Sequence, residues 1–205
     1  MVDIKLDNLS KKFNHEIVFK ELNYHFKQGQ CYAITGSNGS GKSTLLKTIT
    51  GFSLPSSGSV DYYINNQIIQ PDDIYRYISI ATPYMELIKS LTLAELLTYH
   101  SKFKAFRDKL TVTEVIRKMN LIEASNKMIK NFSSGMNQRL KLGLAFFSDA
   151  SVTFLDEPTT NLDKNGCEWY QNELNDIMNR LVLIASNQSE EYQLSQHRLK
   201  LNSFK

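Results

Sequence analysis

At 205 residues, 41% of them hydrophobic, the chain can bury a sizeable core without staples and suits one α/β domain with room for an inserted lobe. Its 24 basic and 21 acidic residues leave a formal charge of +3, so bulk electrostatics give no reason to expect a nucleic-acid partner, and no basic stripe with interleaved aromatics supports one. Two distant cysteines, Cys31 and Cys167, make neither a metal cluster nor a secreted disulfide framework, and no stretch nears the ~20 apolar residues of a membrane span.

In chain order, Ile4–Leu9 and Ile17–Phe26 alternate apolar and polar residues on either side of Asn14-His15-Glu16, which predicts an antiparallel pair, a small β lobe, leading into Cys31–Thr35. A glycine-rich loop and a helix over Thr44–Ile49 follow. The breaker-dense run Gly51–Ser59 hands over to a strand at Val60–Ile64, which turns at Asn65-Asn66-Gln67 into Ile68-Ile69. From Thr92 the period becomes helical: Thr92 and Glu95 have capping-box spacing, and Leu93, Leu96, Leu97 and Phe103 keep a stripe through about Phe106. Further helices are predicted over Val112–Met119, Leu121–Ile129 and, after a polar break at Asn131–Gly135, Met136–Ser148. Ser151–Leu155 and Leu181–Ala185 read as buried parallel strands. The expectation is a single domain, with an α/β core of parallel sheet at about 1–82 and 149–205 and a helical lobe at about 83–148.

The chemistry gathers first at Gly36-Ser37-Asn38-Gly39-Ser40-Gly41-Lys42-Ser43-Thr44, which has the spacing G-x-x-x-x-G-K-[ST] between a strand and a helix. Glycines let successive backbone N–H groups turn toward phosphate oxygens, and the helix start beneath adds positive potential. Lys42 is placed to reach the β- and γ-phosphates of a nucleoside triphosphate, and Ser43 to ligate Mg²⁺. The run Val152–Leu155 ends in Asp156 and Glu157. Two acids before Pro158 could be a solvated turn, but beside a phosphate loop Asp156 reads as the metal holder and Glu157 as the group that orients or deprotonates water.

These residues together resemble the ATP-binding subunits of ABC transporters, over nearly the whole chain and in the family's motif order. The resemblance implies a phosphate-loop ATPase fold with ATP and Mg²⁺. It casts Phe13 as the ring stacked on adenine, unless it is an ordinary residue of the β lobe. Phe132-Ser133-Ser134-Gly135-Met136, followed by Asn137-Gln138-Arg139, is similar to the signature loop. The resemblance implies that Ser133, Ser134, Gly135 and Met136 cap the γ-phosphate bound to a second ATP-binding subunit, identical or related, in a head-to-tail pair. Asp163, in Asn161-Leu162-Asp163, corresponds to the loop between the two sites. Separate transmembrane subunits are implied as partners, and with them a cytoplasmic location, peripheral on the membrane's inner face. Tyr84, Met85, Leu87 and Ile88 are their expected docking surface, or else pack the lobe's own core.

The chain departs from the family's pattern twice. Where the family has a glutamine that touches Mg²⁺ this chain has Pro83, so water, Glu86 or Tyr84 would have to complete the metal shell. Where the family has a histidine on the γ-phosphate it has Asn187, which donates a hydrogen bond but carries no charge. The implied catalytic set is Glu157, Lys42 and Asn187, either turning over slowly or in a subfamily with its own geometry. The alternatives are an ATP-dependent switch with little hydrolysis and a non-transport ATPase of the same type. The family's long coiled coils or paired ATP domains, expected for the latter, are not in this sequence. The four histidines read as surface or core residues.

Overall fold

The computed structural model describes residues 1–204. Two sheets lie on either side of one helix. Strands β1 (Val2–Phe13) and β2 (Glu16–Lys27) pair antiparallel, and β4 (Ser57–Ile64) and β5 (Gln67–Ile68) extend them to a four-stranded sheet in the order β2-β1-β4-β5. Alternation works as expected: Val2, Ile4, Leu6 and Leu9 of β1 face inward, as do Phe19, Leu22 and Phe26 of β2. The strands run longer than their alternating cores because bulges interrupt the pairing after Leu6 and around Lys11, shifting the period without ending the ladder.

The second sheet is parallel throughout, in the order β6-β7-β8-β3-β9, with β3 at Cys31–Thr35, β6 at Ile78–Ala81, β7 at Val152–Asp156, β8 at Leu181–Ala185 and β9 at His197–Lys200. Thus β3 does not continue the antiparallel pair; it sits between β8 and β9. Its residues alternate between two cores. Tyr32 and Ile34 join α1 (Lys42–Ile49) and the antiparallel sheet, while Cys31 and Ala33 join the helices of the opposite face. With both faces covered, β3, β7 and β8 have to be apolar nearly throughout.

Between β6 and β7 the chain forms α2 (Leu93–Ser101), α3 (Val112–Lys118) and α4 (Ser134–Phe147). Thr92 with Glu95 and Thr111 with Glu114 close complete capping boxes, each side chain answering the other's backbone N–H. The predicted stripe overruns α2: the helix stops at Ser101, and Phe103 is 72% exposed. The helix expected over Leu121–Ile129 is instead two single 3₁₀ turns, Ile122–Ala124 and Ile129–Asn131. Its backbone groups are used elsewhere. Lys127 and Ser125 carbonyls accept from Leu93 and Ala94, and the Ile129 N–H donates to the Leu91 carbonyl, so the segment keeps only short i→i−3 turns of its own and is otherwise stitched to the start of α2. Helix α5 (Lys164–Asp176), unpredicted, turns Trp169, Tyr170 and Leu174 into the core. Among the described residues no helix is long and apolar enough to cross a membrane.

Candidate nucleotide site

The carboxyl ends of β7, β8 and β3 lie side by side, so the loops leaving them share one rim. From β3 the chain passes through Gly36–Gly41 into α1, whose first-turn N–H groups point back at the loop. Gly41 has φ 101°, and a Cβ there would meet Val18 Cγ1 at 2.2 Å, so only glycine fits. Lys42 is buried and folds its ammonium over the loop, donating to the carbonyls of Gly36 at 3.0 Å and Ser37 at 3.2 Å. Burial lowers its pKa, and the carboxylates of Glu157 and Asp156 draw it partly back up.

At the end of β7, Asp156 is 2% exposed. Burial raises its pKa, while Ser43, Lys42 and Lys47 pull it down. Its Oδ1 has no hydrogen-bond partner. Glu157 has φ 46°, a left-handed conformation that is costly for any residue with a Cβ and worse before a proline; such a residue stores about 1–3 kcal/mol. It is held by its N–H, which donates to the Ala185 carbonyl of β8 at 2.9 Å, and by Gln138, whose buried amide donates to the Pro158 carbonyl at 2.7 Å.

A cavity of about 420 Å³ is lined by Asn38–Thr44 and Glu157, together with Phe13, Glu16, Val18 and Tyr84. Phe13 is 53% exposed, with the Lys11 ammonium 4.9 Å from its ring centre. Asn187 stands at the loop's rim, its side-chain amide donating to the side-chain carbonyl of Asn38. None of the four histidines lines this cavity. His25 meets Asp3, His100 meets Ser148, His197 meets Gln30, and His15 is exposed. Burial pushes the Cys31 thiol up to about 12 and raises that of the half-buried Cys167 as well, which disfavours the thiolate at both.

Ser133–Met136 do not join this cavity. Ser133 caps α4, accepting from the Met136 N–H, and Ser133, Gly135 and Met136 line a separate cleft of about 320 Å³ with Arg139, Asn161 and Asp163. Asp163 caps α5 by accepting from the Gly166 N–H at 2.7 Å and pairs with Arg139 at 3.6 Å. A larger cleft of about 690 Å³ adjoins Ser134 and Asn161 and takes in Pro83, Glu86 and Lys141. The structure therefore separates the residues around the missing glutamine: Pro83 and Glu86 face the larger cleft, while Tyr84 reaches both cavities, its ring 5.1 Å from the Lys47 ammonium. Sequence reasoning missed Lys141, whose ammonium donates to the Pro83 carbonyl at 2.6 Å, because a lysine on a helix reads as solvent-facing.

A parallel sheet whose inner strand runs through a glycine loop into a helix, with a buried Asp156 and the adjacent, partly exposed Glu157 two strands away, defines a phosphate-loop nucleotide-binding protein. The family model described as ABC transporter matches residues 19–160, and the chain belongs to that family as an ATP-binding subunit. The bacitracin transport ATP-binding protein BcrA of Bacillus licheniformis is 31% identical over 163 residues, 80% of this chain and 53% of that one. The uncharacterized ABC transporter ATP-binding protein YcbN of Bacillus subtilis (strain 168) is 29% identical over 163 residues with the same shares, 80% and 53%. The chain thus spans about half the length of either relative. In fold it is similar to the dimeric post-hydrolysis structure of the ATP-binding cassette MJ0796 bound to ADP and Pi, at TM-score 0.81 and 24% identity, covering 97% of this chain and 94% of that one.

Proposed function

We propose that the chain, as one ATP-binding domain with a helical lobe at about 83–148, hydrolyses ATP in a head-to-tail dimer and passes the dimer's closure to separate transmembrane subunits. The observation that carries this reading is the single cavity shared by Lys42, Ser43, Glu157 and an exposed aromatic, Phe13. The loop's N–H groups and Lys42 hold the triphosphate, Phe13 offers its face to adenine, and Glu157 accepts the proton of the attacking water. The residues fit a hard divalent cation, because the buried Asp156 Oδ1 lacks a partner and Ser43 adds a hydroxyl beside it. Bound there by Ser43 and Asp156, Mg²⁺ would neutralise charge on the β- and γ-phosphate oxygens. Asn187, at the loop's rim, offers an uncharged donor where a histidine would add charge, so turnover is expected to be slow; loss of one positioned donor costs ~10²–10³ in rate.

The dimer reading is supported by Ser133 and Ser134, which stand exposed at the start of α4 and away from the chain's own phosphate loop. Sedimentation velocity tests it. Glu157→Gln with Mg-ATP should sediment as a dimer and without nucleotide as a monomer, while Ser134→Arg should stay monomeric yet still bind ATP. A monomer under every condition, or a dimer unaffected by Ser134→Arg, contradicts the arrangement. Docking on transmembrane subunits draws on the exposed Tyr84 and Ile88. Leu87, by contrast, is packed against the chain's own core.

A further inference from the structure

Glu191 is a fully buried acid that the site described above does not use. It lies in the turn Ser189–Tyr192 after β8, is 0% exposed, and belongs to no ion pair among the described residues. A carboxylate this deep persists only if its oxygens are fully answered by hydrogen bonds. Its Oε1 accepts from both the backbone N–H of Thr159, at 2.7 Å, and the Thr159 hydroxyl, and its Oε2 accepts from the Ser186 hydroxyl. Ser186 Oγ in turn accepts the Gln188 N–H at 2.9 Å. The turn itself is anchored from α5, where the buried Tyr170 hydroxyl donates to the Glu191 carbonyl at 2.6 Å.

Every donor to this carboxylate sits on one of two segments. Thr159 follows Glu157-Pro158, and Ser186 immediately precedes Asn187. One group therefore spans the segments behind the two residues at the cavity and its rim, without itself lining the cavity. Glu157 also needs such support, since a left-handed residue before proline persists only where its surroundings over-determine it.

We infer that Glu191 is a positioning residue for ATP hydrolysis: it clamps Thr159 to Ser186 and so fixes the Glu157 carboxylate relative to the Asn187 amide. The inference rests on the hydrolysis reading above. Nothing in the clamp touches the phosphate loop, so ATP affinity should be spared while turnover is not.

The test is single-turnover hydrolysis by the full chain at saturating Mg-ATP, with ATP Kd and Tm measured alongside. Thr159→Val and Ser186→Ala each remove one hydroxyl donor, and each should slow hydrolysis by about 3–10-fold with Kd within about twofold of native. Because both act through one carboxylate, the double variant should be little slower than the slower single. Glu191→Ala should lose about 10²-fold, whereas Glu191→Gln should restore most of the rate, since Ser186 can turn its hydroxyl to accept from the new amide. Losses confined to Kd, multiplying losses in the double variant, or native rates in a folded Glu191→Ala overturn the inference while native turnover stands. If Glu191→Ala does not fold, the Thr159 and Ser186 pair still decides. A native chain with no turnover overturns the hydrolysis reading and the inference with it.

Discussion

The start of α1 and the start of α4 are the same device built to different ends. Each is a helix N-terminus with free N–H groups, the natural seat for an anion. Around α1 the polar partners are buried in the chain itself: Lys42 is 6% exposed, Asp156 2%, and the loop from β3 wraps the helix start. Around α4 the cap is Ser133, which stands exposed with Ser134, and the cleft beside it holds no residue of the phosphate loop. The first region is closed within the chain, whereas on the proposed dimer reading the second is half of a site. On that reading, burial of charge separates groups that act within the chain from groups offered to a partner, a distinction that motif spacing alone does not give.

Removing the pocket's centre should break the comparison most severely. Lys42→Ala takes away the ammonium that bonds the loop carbonyls and, on the proposed reading, reaches the phosphates, so ATP binding by titration calorimetry should weaken by about 10²-fold or more. The same variant's fold, read by circular dichroism, should stay intact, because the loop lies beyond the carboxyl end of β3 and Lys42 belongs to neither hydrophobic core. Retained affinity would mean that Lys42 does not face the phosphates.

Phe13→Ala should act more mildly. Stacking of a base on an aromatic is worth about 1–3 kcal/mol, so affinity should fall by roughly 5–150-fold, and by a similar factor for GTP, since every base offers a π-face. An unchanged affinity would make Phe13 an ordinary residue of the antiparallel sheet.

The smallest effect sharpens the role of buried charge. Burial raises the Asp156 pKa, so the folded chain binds that proton more tightly than the unfolded chain does. Whatever stability the group brings is present at low pH and lost as pH rises through its folded pKa. At neutral pH the ionised carboxylate is therefore a cost to the fold. Asp156→Asn should raise the nucleotide-free Tm at pH 7 by roughly 2–4 °C, with the gain shrinking as pH falls, while Mg-ATP no longer stabilises the variant as it does the native chain. A lower Tm for the variant would contradict this account of Asp156.

The pocket was legible in the sequence because its geometry is local. Gly36–Thr44 and Asp156-Glu157 carry their spacing along the chain, and β3, β7 and β8 are apolar runs because both faces of the sheet are covered. The rest depends on partners far away in sequence. β6 and β9, at the sheet's edges, have no continuous apolar run to announce them. α5 is polar around most of its circumference, with three large residues turned inward. The apolar period of Leu121–Ile129 was real, but pairing with Leu91–Ala94 took the backbone bonds a helix needs. Glu190-Glu191 reads as a solvated pair of acids, and only the fold shows that the second is wholly enclosed. Of the two side chains the sequence offers in place of the glutamine, Tyr84 and Glu86, only Tyr84 lines the cavity, and spacing alone does not choose between them.

The central claim, that the pocket around Glu157 hydrolyses ATP without a histidine at its rim, is tested most directly by single-turnover hydrolysis of Mg-ATP. The native chain and Glu157→Gln would be compared at protein concentrations high enough to favour a dimer. The account predicts measurable native turnover and a Glu157→Gln rate about 10²–10³-fold lower, with ATP binding retained in both. Equal, background-level rates from two chains that both bind ATP would contradict it.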